Sequence, residues 1–205
     1  YNYNNCYIWE YSSQNIFYYD TYYKNIKYYF LPLLYDKYIE NFYISKLKNG
    51  RIPWNEKDID IVFLGSKDER RSKVFDKLNE KYNAYFITGN NNYEDIVNIL
   101  ERSKIFINLF SKESNKAFDY YRLAFLYSNN VFVITETPKV NFKIEKNLIE
   151  LKDKLIVCDY NNIFENVEKY INFSHNEIKD ITENIYNNFK NFTLENYILD
   201  FFELQ

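Results

Sequence analysis

Residues 59–66 read Ile59-Asp60-Ile61-Val62-Phe63-Leu64-Gly65-Ser66, an almost unbroken apolar run closed by a glycine and a serine. A run this short has the length of one strand, and apolar side chains at successive positions suit a strand covered on both faces. Gly65-Ser66 supplies the tight turn that follows. The next stretch, Lys67 to Tyr82, places Val74, Phe75 and Leu78 at helical spacing. Strand, turn and helix in this order open a parallel sheet.

The alternation continues downstream. Ala84 to Thr88 reads as a second strand, and Gly89 to Asn91 turns into a helix capped by Asn92, with Asp95 at the third position and Ile96, Ile99 and Leu100 inward. Lys104 to Phe110 gives a third strand, Asn115 to Tyr127 a helix, Val131 to Thr135 a fourth strand and Leu155 to Cys158 a fifth. Asn162 to Phe173 makes a helix, Ser174 caps another with Glu177 three residues on, and Leu194 to Leu204 forms a last one. Five strands joined by helical connections predict an α/β, Rossmann-like parallel sheet flanked by helices, from near Asp58 to Phe173.

Upstream the texture differs. Cys6 to Glu10 reads as a short strand, with a turn or short helix around Asn15, and Ile26 to Leu31 as a second extended run reaching Pro32. Asp36 to Leu47 can form a helix with Tyr38, Ile39, Phe42 and Leu47 on its apolar side. Lys48-Asn49-Gly50-Arg51-Ile52-Pro53 then breaks regular structure. The expected divisions are 1–50, 51–173 and a C-terminal helical part, 174–205.

Composition narrows the partners. A formal charge of -3 gives no broad basic surface for a nucleic-acid backbone, so a small molecule or protein is the expected partner. Cys6 and Cys158 lack CxxC spacing and read as buried free thiols, and a single histidine, His175, excludes a His-rich zinc centre. No stretch reaches the apolar length of a membrane span. The opening YNYNNCYIWEYSS has neither the basic leader nor the cleavage site of a signal peptide, and it lacks an initiating Met. The chain is therefore expected to begin inside a longer protein and to reside in the cytoplasm of the producing or host cell. Asn, Tyr (23) and Phe (18) crowd the sequence while Gly and Pro number three each, the signature of an AT-rich genome such as that of a parasite, a bacterium or a large DNA virus. That bias weakens any single Asn or Tyr as evidence, including the sequons at Asn172 and Asn191.

In a parallel sheet, ligands bind beyond the carboxyl ends of the strands, where helix N-termini favour anions. This gathers Gly65–Arg71, Thr88–Asn92, Asn108–Asn115, Glu136–Pro138 and Asp159–Asn162 on one rim. Gly65 and Ser66 let backbone amides approach a phosphate, with Arg70 or Arg71 adding charge; a solvated helix face is the competing reading of those arginines. Arg122 interrupts the apolar run Ala117 to Leu126 beside its apolar face and needs a phosphate, a carboxylate or a route to solvent. Glu136, at the end of its strand, can accept hydrogen bonds from sugar hydroxyls or pair with Arg122. Asn108 is polar within an apolar strand and requires partners if buried.

Phe63-Leu64-Gly65-Ser66-Lys67-Asp68-Glu69-Arg70 has the pattern strand-Gly-x-x-x-x-Arg; Ser103 to Phe110, the helix carrying Arg122 and the strand-end Glu136 follow. Together these resemble the GT-B glycosyltransferases, specifically the CgeB-like and "glycosyl transferases group 1" C-terminal domains. Upstream, Tyr11 to Ile16 and Leu31-Pro32-Leu33-Leu34-Tyr35 resemble that family's interdomain strand and the start of its second domain. The resemblance implies the C-terminal half of a GT-B enzyme, with most of the N-terminal acceptor-binding domain belonging to the rest of the protein. It places a nucleoside-diphosphate sugar donor with its diphosphate near Gly65, Ser66 and Arg70, and with Arg122 and Glu136 nearby. The loops after Thr88 and Asn108 would hold ribose and base, and no metal or other cofactor is implied. Transfer would be to a hydroxyl or amine acceptor. The pair of glutamates eight positions apart in the larger retaining group is not matched, since Glu113 is followed at that spacing by Tyr121.

Two other readings compete. A non-catalytic interaction domain would share the fold while Arg122 pairs with Glu136 or Asp119 for stability alone. Another small-nucleotide enzyme would need a carboxylate over the ribosyl linkage, for which Glu113 and Glu136 are available.

Overall fold

The computed structural model describes residues 7–23, 27–32, 34–89, 91–113, 117–139, 151 and 153–195. The apolar run of residues 59–64 is a strand with the expected limits, β3 (Ile59–Leu64), preceded by β1 (Tyr7–Glu10) and β2 (Lys27–Phe30). β4 (Ala84–Ile87), β5 (Ser103–Asn108), β6 (Val133–Glu136) and β7 (Ile156–Cys158) complete a five-stranded parallel sheet in the order β4-β3-β5-β6-β7. The order reverses between β3 and β5, which creates a crevice at their carboxyl ends.

Alternation along the strands divides the interior into two cores. Phe63, Ile105, Ile107 and Ile134 pack with Phe75 and Leu78 of α3 (Glu69–Asn79) and with Ile163 and Val167 of α6 (Ile163–Ile171). Val62, Phe106 and Val133 pack instead with Val97 and Leu100 of α4 (Tyr93–Arg102) and with Leu123 and Leu126 of α5 (Tyr120–Ser128). α7 (His175–Phe189) contributes Ile178 to the first core and Ile185 and Phe189 to the second, so it ties the two faces together. Each fully buried side chain of this size contributes about 1.5–3 kcal/mol.

Helix starts are set locally. Asp68, Asn92, Asp119 and Ser174 each accept a hydrogen bond from the third backbone N–H of their helix, at 2.9, 2.8, 3.1 and 3.3 Å. Such a cap is worth about 1 kcal/mol. The Asp119 cap explains one correction: α5 begins at Tyr120, not near Asn115, because the Asp119 side chain caps it and Ala117 to Asp119 are not helical. Residues 114–116 lie outside the described residues, as do all but Leu194 and Glu195 of the helix expected over 194–204.

A second correction concerns α2 (Lys37–Ser45). Tyr38 and Phe42 are exposed, and Tyr43 is the residue that is fully buried. Its hydroxyl donates to Glu101 at 3.1 Å, which satisfies the polar tip and lets the ring enter the core. Around Asn15 the chain forms a helix of ten residues, α1 (Ser13–Tyr22), which links β1 and β2 as a parallel pair. Trp9, Phe17 and Tyr22 of this unit are exposed. The chain passes into and out of the large sheet side by side, with Tyr35 N–H donating to Phe192 C=O at 3.0 Å. Tyr35 and Tyr186 both donate their hydroxyls to Glu40, at 2.6 and 3.1 Å.

Cys158 is a free, buried thiol, pushed up to about 12 by burial and hence inert; Cys6 lies outside the described residues. At the amino-terminal end of the sheet Glu101 is buried and accepts from Arg51 Nη1 at 3.0 Å and from Ile52 N–H at 2.8 Å. Lys57 donates to the Glu101 carbonyl at 2.6 Å. Burial pushes the Lys57 amine down to about 8, against the opposing pull of Glu101. Above that pH the folded chain has released a proton that the unfolded chain retains up to the ordinary lysine value, so stability is expected to rise with pH through this window. Urea unfolding of Lys57→Met should lose that rise; equal pH slopes in variant and wild type would contradict the assignment.

Candidate functional site

Three arginines converge at the carboxyl ends of β3, β5 and β6. Arg70, in the first turn of α3, meets the Glu136 carboxylate with both terminal nitrogens, at 2.7 and 2.5 Å, and also donates to Phe110 C=O at 2.7 Å. Its guanidinium lies 3.8 Å from the centroid of the Tyr160 ring, whose hydroxyl donates to Arg70 C=O at 2.7 Å. Exposed Glu113 approaches the same guanidinium at 3.3 Å. Burial works against the Arg70 charge, but the Glu136 carboxylate outweighs it and holds the group above its ordinary value. Glu136 itself is the last residue of β6, 0% exposed, and accepts from Phe110 N–H at 3.1 Å.

Arg71 is buried and engaged at every nitrogen. Nε and Nη2 donate to Leu109 C=O at 3.1 and 2.9 Å, and Nη1 donates to the carbonyl and hydroxyl of Ser66 at 3.0 and 2.9 Å. Burial lowers its affinity for a proton, Asp68 offsets this in part, and the positive charges of Arg122 and Arg70 lower it further. The Arg71 and Arg122 guanidinium groups both lie over the Phe63 ring, at 4.9 and 5.4 Å from its centroid. Neither Arg70 nor Arg71 lies on a solvated helix face.

Arg122 occupies the third position of α5, which aims it across the sheet end. Its Nη1 donates to Asn108 Oδ1 at 2.6 Å and meets Asp119 Oδ2 at 2.9 Å. Asn108, buried in β5, donates in turn to Thr135 Oγ1 at 2.9 Å. Of the two carboxylates that the sequence offered to Arg122, it takes Asp119, and Glu136 goes to Arg70. No hydrogen bond is formed by Nη2 of Arg122 among the described residues. It lies 3.4 Å from the point a Cβ would occupy on Gly65.

Gly65 is required where it stands. Its φ is +155°, and a Cβ would sit 3.0 Å from Cε1 and Cζ of Phe63, a ring held between Phe75 and Phe86. Gly65→Ala is expected to cost about 1–3 kcal/mol by overpacking against Phe63. Urea denaturation checks this, and an unchanged midpoint would contradict it.

A cavity of about 830 Å³ opens beside Gly65 and Arg122. It is bounded by the first turns of α4 and α5, Pro32, the chain from Leu34 to Ile39, and Thr193 to Glu195. Of the eight sequence candidates, Gly65 and Arg122 line it; Ser66, Arg70, Arg71, Asn108 and Glu136 form the network behind the rim. Thr88 is exposed beyond β4, and its carbonyl accepts from Asn91 Nδ2 at 2.9 Å. Tyr160, from the rim segment 159–162, braces Arg70, whereas the sequence did not point to Tyr93 or Phe125, which wall the cavity. Among the described residues no group of three His, Cys, Asp or Glu side chains is placed to hold a metal ion, and no helix is long and apolar enough to cross a membrane.

No family model and no curated protein matches the chain. Two solved structures do. One is a trehalose-6-phosphate synthase from work on enzymatic glycosyltransfer with retention; it is 10% identical, with a TM-score of 0.55 over 87% of this chain and 52% of that one. The other is the N-terminal domain of a Candida albicans trehalose-6-phosphate phosphatase, 12% identical, with a TM-score of 0.52 over 87% of this chain and 50% of that one. The chain therefore spans about half the length of each. Identities this low carry the fold alone, and the fold they carry is the Rossmann-like α/β architecture with its five-stranded parallel sheet.

Proposed function

We propose that this chain is the donor-binding half of a GT-B glycosyltransferase, holding a nucleoside-diphosphate sugar for transfer to a hydroxyl or amine acceptor. The observation that carries the reading is the uncommitted Nη2 of Arg122 beside Gly65, at the mouth of a cavity of about 830 Å³ where the strand order reverses. Arg122 would meet the diphosphate directly, since a planar guanidinium suits phosphate oxygens. Ser66, Arg70, Arg71, Asn108 and Glu136 would fix the rim around it, and the loop after Thr88 would reach the nucleoside. As the bond between the sugar and the diphosphate breaks, negative charge grows on the leaving phosphate, and Arg122 stabilises it there. In this reading residues 1–50 belong to the acceptor half and the interdomain segment, residues 51–173 bind the donor, and residues 174–205 pack on or return from that domain. The exposed Trp9 of β1 and Phe17 and Tyr22 of α1, beside a sheet of two strands among the described residues, support it. The glycosyl-transferring enzyme among the structural neighbours is consistent with it.

One observation favours the rival interaction domain: Arg70 and Glu136 close on each other, and Arg71 has no nitrogen left for a ligand. Thermal unfolding with UDP, GDP and their sugar conjugates separates the two. Ligand at 100 times its Kd adds about 2.7 kcal/mol of stability, so one base should raise the midpoint measurably. A folded chain whose midpoint no nucleotide moves would favour the rival.

A further inference from the structure

Much of the cavity wall is apolar. Its interior is made by side chains such as Leu34, Ile39, Leu64, Ile96, Ala124 and Phe125. Three polar residues beside them are already engaged. Tyr35 donates its hydroxyl to Glu40 at 2.6 Å, and Asp36 Oδ1 caps α2 by accepting from Tyr38 N–H at 2.7 Å. Asp119 accepts from Arg122 N–H at 3.1 Å and pairs with Arg122 Nη1 at 2.9 Å. Lys37 and Glu195 stand exposed at the outer rim. A hydrocarbon chain laid against the aliphatic part of the wall gives up no water partners, whereas a polar group there would have to find its partners at the rim.

The mouth has the opposite character. Nη2 of Arg122 lies beside Gly65 without a hydrogen-bond partner among the described residues, and residues of the first turns of α4 and α5 line the cavity. The guanidinium N–H left over favours a phosphate oxygen at that point. The volume falls within the roughly 300–1,000 Å³ of small-molecule sites.

We infer that this cavity binds an anionic amphiphile, a single phosphate on an aliphatic chain, with the phosphate at Arg122 and the chain lying against Ile96, Ala124 and Phe125. The inference goes beyond the nucleotide-sugar reading and stands or falls separately. It shares Arg122 and the cavity with it, so UDP and the amphiphile would compete.

Calorimetric titration of the whole chain with inorganic phosphate and with hexyl, octyl and decyl phosphate, kept below micelle formation, tests it. Affinity is expected to tighten roughly fourfold per methylene, with inorganic phosphate alone giving no saturable heat. Arg122→Ala should weaken each alkyl phosphate at least tenfold. Ile96→Trp and Ala124→Phe, each checked for cooperative unfolding, should abolish the chain-length dependence by filling the cavity; one folded variant suffices. Affinity independent of chain length, or chain-length dependence intact in a folded cavity-filling variant, would overturn the inference, the latter placing the chain elsewhere, as on the exposed aromatics of α1. UDP binding without alkyl phosphate binding would also overturn it and leave the nucleotide reading standing, and the converse would do the reverse.

Discussion

Glu136→Ala is expected to destabilise the folded chain by about 3–5 kcal/mol, the cost of stripping one partner from a buried ion pair. The carboxylate is fully buried and meets both terminal nitrogens of Arg70 as well as Phe110 N–H. Its removal leaves a guanidinium that is only 18% exposed at its side chain, with exposed Glu113 and the face of Tyr160 as poor substitutes. The pair as a whole is a different matter, since taking two charges out of water offsets much of their attraction. Arg70→Met combined with Glu136→Leu should therefore recover most of the loss, and urea unfolding of the two single variants and the double one measures the coupling. A cost below about 1 kcal/mol for Glu136→Ala would mean that the rim is not held by this pair.

Arg122→Ala is expected to weaken nucleoside-diphosphate binding by about 10- to 150-fold, corresponding to one charge-assisted hydrogen bond of roughly 1.5–3 kcal/mol. Nucleoside without phosphate should bind the variant and the wild type alike. The substitution leaves the cap of α5 in place, because Asp119 receives a backbone N–H. It does strip Asn108 Oδ1 of its donor in a buried setting, so some loss of stability accompanies it and folding must be verified in the same samples. Arg122→Lys keeps the charge but not the planar fork, and should fall between the two.

How far these groups could be read from the sequence follows from distance along the chain. β3 was legible to the residue because an apolar run closed by Gly65 has one reading, and the caps at Asn92 and Ser174 were legible because their partners lie three residues away. The α2 face was not: Tyr43 is buried only because Glu101, 58 positions on, accepts its hydroxyl, and in a chain this rich in tyrosine hydropathy cannot tell that ring from Tyr38. The rim followed the same rule. Placing Gly65, Asn108, Arg122 and Glu136 at one sheet end needed only the parallel topology, but the choice of partners did not follow from it. Arg70 reaches Glu136 across 66 positions and Tyr160 across 90, contacts that no local pattern encodes. Asp119 stood three residues before Arg122 and was visible both as a cap and as an ion partner; reading it first as a cap would also have moved the start of α5.

The most direct test of the donor-site reading is calorimetric titration of the intact chain and of folded Arg122→Ala with UDP and GDP, with uridine and guanosine as controls. Saturable binding of one diphosphate that weakens at least tenfold in the variant, with its nucleoside unaffected, is the predicted result. Equal affinity of wild type and variant for that diphosphate, or no binding of either by the folded wild-type chain, would contradict it.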